Sequence, residues 1–372
     1  MRWRRSVLRP KFTFVKATPL SKLAVGKHNH FNLIRLLAAL AVLWSHSYAL
    51  TGQAEPFAYL GKNLGSMAVD VFFVTSGFLV TTSLLQRGDA IDYLIARTLR
   101  IFPALWLMLL LTVITLGLLL THLSATEFFK HPQTWRYVWK TSTLLGHVEY
   151  ALPGVFEFNS YPVIVNGSLW TMVYELSLYL ALLAIWSLAR LLSLLMQPAL
   201  AFLLALILTV SFFYGCQHYA FYDTHFLLRF SFLFFAGSVF YLVRTHVPMS
   251  SALFAVSVGA MLGVAVFFPT YFSTAYLLCL PYALFYLAYV PQGPLLQFNR
   301  IGDYSYGVYI YAFPVQQAIL ALFPAIAFWK FNYLAILITV VLAMLSWHCI
   351  EQPMLQRRGK LRDLFRFSGV PV

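Results

Sequence analysis

An imidazole and two carboxylates lie inside stretches of sequence that are otherwise almost entirely apolar. His46, Asp70 and Glu175 each fall within a run of about twenty mostly hydrophobic residues, the length that an α-helix needs to cross a bilayer. Ionisable groups in membrane hydrocarbon are costly unless they are paired or hydrated, so each is a candidate for function. A carboxylate that accepts a hydrogen bond from an imidazole stabilises the imidazolium, so the histidine can remove a proton from a hydroxyl group. We therefore predict His46 as a general base oriented by Asp70 or Glu175; a structural hydrogen bond between helices is the alternative.

Helical geometry predicts which of these groups share the interior of a bundle. Arg35 and His46 are eleven residues apart, which places them on nearly the same helix face with a separation of about 16 Å along the axis. Asp70 comes a few residues after the outer start of the next run, so we expect it at the depth of His46. Gly77 lies on the same face as Asp70 and is expected to allow close helix approach.

The fourth apolar run carries a stripe of polar residues. Ser168, Thr171, Glu175 and Tyr179 follow one another at steps of three and four residues, which places them on one face of a helix. The carboxylate of Glu175 is then expected near the middle of the membrane and inside the bundle.

Three arginines near the inner boundary indicate an anion site. Arg97 and Arg100 are three residues apart and share a helical face, and Arg35 is expected at the same depth. Guanidinium groups bind phosphates through paired hydrogen bonds. The alternative is the general excess of basic residues on the cytoplasmic side of membrane proteins.

The composition requires lipid as the main solvent of these elements. Hydrophobic residues make up 60% of the 372-residue chain and charged residues only 10%, too few charges for the surface of a soluble domain. The net charge of +14 is concentrated at the termini and in short connections, which indicates membrane topology rather than a nucleic-acid partner. We predict one domain over residues 1–372, with a basic cytoplasmic segment at 1–30 and a basic cytoplasmic tail at 354–372.

The apolar runs predict an all-α integral membrane protein. Splitting them at charges, Gly and Pro gives about ten transmembrane helices, at 31–50, 67–85, 101–121, 168–189, 197–215, 226–243, 251–268, 274–290, 304–322 and 329–350. An even number of spans returns both termini to the cytoplasm. The connections expected inside hold the arginines 87, 97, 100, 190, 244 and 300, as the charge rule requires.

These residues also carry a resemblance to a known family. The chain resembles the membrane acyltransferase family 3 in an ordered set of motifs: Arg35-x10-His46, Val69-Asp70-Val71-Phe72-Phe73 through Leu79, Arg97-x-x-Arg100-x-x-Pro103, Ser168-Leu169-Trp170 with Glu175 and Tyr179, Tyr304-Ser305-Tyr306-Gly307-Val308-Tyr309, and Ile350-Glu351-x-Pro353. The match covers nearly the whole chain. One motif alone is weak, but the ordered set at fitting spacing is specific.

The resemblance implies an O-acyltransferase of the plasma membrane, the inner membrane in a bacterium. It implies acyl-coenzyme A, commonly acetyl-coenzyme A, as donor, a carbohydrate hydroxyl as acceptor, and His46 as the catalytic residue. The chain departs from the family at Ala312, where many relatives carry a histidine. Gln316 and Gln317, just beyond Pro314, are candidates for hydrogen bonds to the acceptor, and helix packing is the alternative role.

Two further function classes fit the hydropathy. Charged residues inside a helical bundle also mark the pathway of a transporter or flippase, although no inverted repeat is visible. A non-catalytic membrane scaffold leaves the arrangement of inner arginines and outer histidine unexplained.

The long outer connection, roughly 122–166, is rich in aromatic residues and is expected to form either a sugar-binding platform or an interfacial aromatic belt. The three cysteines lack the spacing of a metal site, so no metal is predicted.

Overall fold

The computed structural model describes residues 17–26, 28–193, 206–211 and 226–367. We number its longer helices α1 to α12, and their bounds are Phe31–Leu50 (α1), Leu64–Arg87 (α2), Ala90–Leu111 (α3), Ala125–Lys130 (α4), Pro132–Thr143 (α5), Trp170–Ser193 (α6), Phe226–Leu242 (α7), Ser251–Phe267 (α8), Phe272–Tyr289 (α9), Ser305–Leu322 (α10), Phe328–Ser346 (α11) and Arg358–Phe367 (α12). Helix α3 continues through a π-helical stretch, Thr112–Gly117, to Leu120. Two short strands, Thr18–Pro19 and Pro248–Met249, pair antiparallel.

The predicted all-α membrane class is confirmed. Within the described residues, six helices are long and apolar enough to cross a membrane, and α7 and α8 are shorter apolar helices. Each predicted span coincides with a described helix except 197–215, which lies largely outside the described residues. The total of about ten spans and the cytoplasmic location of the termini therefore stay predictions.

Helix α3 begins earlier than the hydropathy predicts. Gly88 adopts a left-handed conformation that ends α2, and the carboxylate of Asp89 accepts hydrogen bonds from the backbone N–H groups of Ile91 and Asp92. This N-cap starts the helix at Ala90 rather than at residue 101. Arg97 and Arg100 consequently lie on helix α3. The predicted span boundaries had placed them in the connection before it, which is wrong.

Helices α2 and α7 cross at two glycines. A Cβ atom on Gly77 would lie 1.8 Å from the carbonyl oxygen of Phe234, and a Cβ on Gly237 would lie 2.1 Å from that of Val74. Thr81 donates a hydrogen bond of 2.8 Å to Ser238 next to this crossing. The predicted role of Gly77 in close helix approach is thus confirmed, and the crossing aligns the helices that carry the polar groups.

The connection after α3 is folded rather than extended. Ser124 and Glu127 form a capping box that starts α4, and Pro132 occupies the first turn of α5. Residues 144–169 then return to α6 without regular helix, and Phe156 and Val163 adopt positive φ angles of 60° and 70°. These two non-glycine residues are held in a conformation that L-amino acids rarely adopt.

Candidate active site

A narrow cavity of about 30 Å³, room for about one water molecule, lies between α1, α2, α6 and the start of α10. Its polar lining comprises Arg35, Ser76, Thr171, Glu175, Ser305 and Tyr309, and its apolar lining includes Phe72 and Met172. The structure therefore brings together Arg35 and Glu175, two of the residues predicted from sequence. Several hydrogen-bonding groups thus converge on one point inside an apolar bundle, where they could contact a polar group of a substrate.

Thr171 and Glu175 of the predicted polar stripe line this cavity, whereas Ser168 lies before the start of α6. The side chain of Glu175 accepts a 3.2 Å hydrogen bond from the hydroxyl of Ser76 and another from the hydroxyl of Tyr179. Tyr309 hydrogen-bonds to Thr171 and donates to the backbone carbonyl of Ser168 at 2.9 Å. The stripe is thus tied to α2 and α10, which fixes the position of the carboxylate.

Below the cavity, arginines and carboxylates from distant parts of the chain form an ion-pair network. Arg100 contacts Asp303 at 2.5 Å and Glu351 at 2.9 Å, and Arg35 lies 3.9 Å from Asp303. Burial of the Asp303 carboxyl opposes ionisation, but Arg100 and Arg35 outweigh this effect and hold the pKa of Asp303 below its ordinary value. Arg100 is therefore neutralised by protein carboxylates.

Arg97 differs from Arg100 although the two are one helical turn apart. Its guanidinium lies 5.7 Å from the centre of the Tyr179 ring, and its buried Nε finds no hydrogen-bonding partner among the described residues. No ion pair of Arg97 occurs within the part of the chain that the structure describes. A half-buried guanidinium that has no carboxylate partner among the described residues favours an incoming anion. Of the predicted arginine trio, Arg97 therefore keeps the capacity to bind one, and Arg35 is only loosely paired, at 3.9 Å from Asp303.

Asp70 does not meet His46 in the structure, contrary to the pairing expected from their depth. It is completely buried and forms a salt bridge with Arg229 of α7, which is also buried. Arg229 donates a further hydrogen bond of 3.3 Å to the carbonyl of Ser66. A guanidinium that cannot lose its proton needs a counter-ion inside a membrane, and Asp70 supplies it.

His46 lies on the C-terminal half of α1, apart from the residues that line the cavity. Its ring contacts that of Phe313 edge-on, with 5.2 Å between the centroids. Its Nδ1 is buried without a hydrogen-bonding partner, and the described residues provide no hydrogen bond between His46 and Asp70 or Glu175. Among the described residues, no carboxylate therefore bonds to the half-buried imidazole and fixes its tautomer.

Apolar side chains pack around Ala312, the position at which many family members carry a histidine. Ala312 is buried in an apolar cluster with Leu43 and Phe313. Gln316 donates hydrogen bonds to the carbonyl of Leu43 at 2.9 Å and to Ser47 at 2.8 Å, so it joins α10 to the helix that carries His46. Gln317 donates to two carbonyls of the outer connection. Both glutamines thus hold helices and loops together.

Three residues of the site were not identified from sequence as site residues. Arg229 lies near the start of an apolar run, and the rule that marked Asp70 applies to it equally. Asp303 directly precedes the tyrosine-rich start of α10, and Glu351 lies in the closing motif. Neither position by itself indicates an arginine partner, because Arg100 is distant from both in the chain.

The site contains no cluster that suits a metal ion within the described residues. Cys279 and Cys349 are free thiols, and Cys216 lies outside the described residues. The chemistry available to the described residues is therefore that of arginine, carboxylate, hydroxyl and imidazole groups. These groups suit anion binding, hydrogen bonding to a polar substrate and proton transfer.

A bundle of membrane-length helices around a cavity that holds arginine, carboxylate and hydroxyl groups defines a polytopic membrane protein with the features of an enzyme. Sequence comparison specifies the class. Residues 28–349 match the family model described as an acyltransferase domain, and the chain belongs to this family, acyltransferase family 3. It is accordingly an acyltransferase, which decides against the transporter and scaffold alternatives.

Two curated relatives extend over almost the same length. The chain is 31% identical to a protein named O-acetyl transferase from Shigella phage Sf6 over 342 residues, which cover 89% of this chain and 97% of the relative. It is 26% identical to Nodulation protein 10 of Rhizobium leguminosarum bv. viciae over 387 residues, covering 92% of this chain and 97% of that protein. No solved structure matches the chain. These similarities support O-acyl transfer, in agreement with the predicted activity.

Proposed function

We propose that this protein transfers an acyl group, most simply acetyl, from acyl-coenzyme A to a hydroxyl group of a carbohydrate acceptor. The observation that carries the proposal is the half-buried guanidinium of Arg97 in an acyltransferase: it has no ion pair among the described residues and lies over the ring of Tyr179, whose hydroxyl hydrogen-bonds to Glu175 of the cavity. Coenzyme A carries several phosphates, and guanidinium groups bind phosphates tightly. The anion-binding capacity of the site thus matches the donor.

In this proposal the donor enters from the cytoplasm and both termini lie on that side, in the plasma or bacterial inner membrane. Contacts among the connections predicted to be inside support this topology. The strand at residues 18–19 pairs with the connection between α7 and α8, Arg190 donates to the carbonyl of Gly88 at 2.7 Å, and Arg358 of the tail binds Asp92. The excess of basic residues along these connections has the sign expected for the cytoplasmic face.

We assign donor binding to Arg97 and Arg35, and a positioning role to Arg100. The carboxylates of Asp303 and Glu351 hold Arg100 in place, so it orients the network beside Arg35 rather than binding phosphate itself. The axial distance of about 16 Å from Arg35 to His46 along α1 suits an extended pantetheine arm. The thioester would then reach the outer half of the bundle.

His46 is the proposed catalytic base. It would accept the proton of the attacking hydroxyl as the new ester C–O bond forms and the thioester C–S bond breaks, and the thiolate of coenzyme A would take up that proton. An alternative order forms an acyl-histidine first, with the thiolate leaving, and then transfers the acyl group to the hydroxyl. Because Asp70 forms a salt bridge with Arg229, it has no part in the chemistry of either reaction order. Glu175 lines the cavity and is proposed to orient a substrate hydroxyl or amide.

The test uses the protein reconstituted in proteoliposomes with radiolabelled acetyl-coenzyme A. The acceptor is a glycan fraction from the cell envelope of the source organism. We expect label in the glycan with wild-type protein and a fall in kcat of about 100-fold or more with His46→Ala. His147→Ala is the matched control, because His147 is an exposed histidine of the outer connection, and it should transfer at the wild-type rate. Label transfer by His46→Ala at the wild-type rate would remove His46 from the mechanism.

A further inference from the structure

A second cavity, which we call the outer pocket, opens between the end of the α3 extension, the loop 154–160 and the end of α10. Its volume is about 350 Å³, at the lower end of the range of pockets that hold small organic ligands. Apolar residues such as Leu120 and Leu320 form part of the wall, and polar residues such as His122, Glu157 and Ser160 form the rest. The pocket therefore offers both apolar contact and hydrogen bonding.

An exposed aromatic ring lies beside the polar side chains of the outer pocket. Phe158 is 92% exposed, and its ring centre lies 6.2 Å from that of His122. The Nε2 atom of His122 lies 3.6 Å from a carboxylate oxygen of Glu157. A sugar ring presents apolar C–H groups on one face and hydroxyl groups around its edge, so it can pack on an aromatic ring while carboxylate, imidazole and hydroxyl groups bind its edge.

The loop that carries Phe158 is held in one conformation. The carbonyl of Phe156, a residue with positive φ, accepts hydrogen bonds from the N–H groups of Asn159 and Val163. Gln317 of α10 then accepts a 2.7 Å hydrogen bond from the side chain of Asn159. Strained backbone that the surrounding contacts hold in place is typical of binding sites. The pocket is consequently formed before any ligand arrives.

The position of the outer pocket relative to His46 indicates which part of the acceptor it binds. Phe313 contacts His46 and also contacts Tyr161 of the outer connection, with 6.2 Å between the ring centres of Phe313 and Tyr161. Leu320 of the pocket lies seven residues after Phe313 on α10, on nearly the same face and about 10 Å further along the axis. A sugar in the pocket is therefore displaced from the one whose hydroxyl reaches His46.

We propose that the outer pocket binds a sugar unit next to the one that is acylated, so the acceptor is an oligosaccharide or longer glycan rather than a small glycoside. This inference rests on the proposed function. The carboxylate of Glu157 at the rim disfavours an anionic lipid headgroup and is compatible with the hydroxyl groups of a sugar. The outer pocket then determines acceptor affinity, while His46 performs the chemistry.

The experiment compares two probes on the purified full-length protein. The first is a set of oligosaccharides of two to five units, released by mild acid from the surface polysaccharide of the source organism, and the second is the methyl glycosides of their single sugars. Binding is measured by saturation-transfer NMR without donor, and transfer is measured with acetyl-coenzyme A. We expect Phe158→Ala and Glu157→Gln to weaken oligosaccharide binding at least five-fold and to leave transfer to the methyl glycosides unchanged. Phe158→Tyr keeps the aromatic face and should bind within two-fold of wild type.

Phe268→Ala is the matched control, because Phe268 is another exposed phenylalanine that does not line the outer pocket. It should bind both probes as wild type does. An equal loss with Phe268→Ala, an equal effect of Phe158→Ala on the methyl glycosides, or no oligosaccharide binding by the wild type would each overturn the inference. Oligosaccharide binding that depends on Phe158, without any acyl transfer, would support the outer pocket and refute the proposed function.

Discussion

Replacing Asp70 with asparagine would remove the carboxylate charge that is paired with the buried guanidinium of Arg229. The side chains of Arg229 and Asp70 are 2% and 0% exposed, respectively, so water cannot solvate the remaining charge. Arginine does not lose its proton in proteins, and its hydrogen bond to the carbonyl of Ser66 is long, at 3.3 Å. Breaking a buried ion pair by removal of one partner costs about 3–5 kcal/mol. We therefore expect the folding equilibrium of Asp70→Asn to fall about 100-fold to a few thousand-fold.

The assay is equilibrium unfolding of the purified protein in mixed micelles of mild detergent and sodium dodecyl sulfate. Arg229→Met should destabilise less than Asp70→Asn, because an unpaired aspartate can take up a proton and an unpaired arginine cannot release one. The double variant Asp70→Asn/Arg229→Met should recover most of the loss, since it removes the buried charge. Transfer is measured in parallel and normalised to the folded fraction, and here we expect a kcat near that of wild type.

A single result would refute this reasoning. That result is a free energy of unfolding of Asp70→Asn that lies within about 1 kcal/mol of the wild-type value. So small a change is close to that of an ordinary surface substitution, and the ion pair would then contribute little to the fold. If the folded variant also loses its activity, Asp70 is a catalytic carboxylate, as its position in the sequence predicts.

Two further predictions concern the donor site and the helix crossing. Arg97→Gln should raise the KM for acetyl-coenzyme A about tenfold or more at unchanged kcat, because a hydrogen bond to a charged group contributes about 1.5–3 kcal/mol; steady-state kinetics with varied donor tests this. Gly77→Ala should destabilise the protein by about 3 kcal/mol, because the added Cβ would lie 1.8 Å from the backbone oxygen of Phe234; unfolding in mixed micelles tests that.

Each of these variants has a matched control. Arg300→Gln removes an exposed arginine that we place on the same side of the membrane, and its donor KM should stay at the wild-type value. A rise in KM for the glycan acceptor alone in Arg97→Gln would contradict donor binding. Gly259→Ala adds a Cβ with no atom within 4 Å and should leave stability unchanged. Equal stabilities of the two glycine variants would show that α2 and α7 can separate at little cost.

The sequence alone predicts the helices and the groups that they bury. Apolar runs of membrane length locate helices such as α1 and α2, because an α-helix satisfies its backbone hydrogen bonds within the bilayer. The ordered motifs indicate the family, and the match of residues 28–349 to the family model confirms it. Periodicity also predicts the polar face of Glu175, because residues three and four positions apart on one helix share a face whatever the tertiary structure.

The partner of each buried charge is decided only by the tertiary structure. Depth along the chain made His46 and Asp70 plausible neighbours, yet Asp70 binds Arg229 and His46 contacts Phe313. Arg97 and Arg100 look alike in sequence, but only Arg100 meets Asp303 and Glu351. Hydropathy gives the depth of a residue but neither the rotation of its helix nor the identity of the neighbouring helix. Electrostatic pairing acts over a few ångströms across helices that are far apart in the chain, so it depends on how those helices pack.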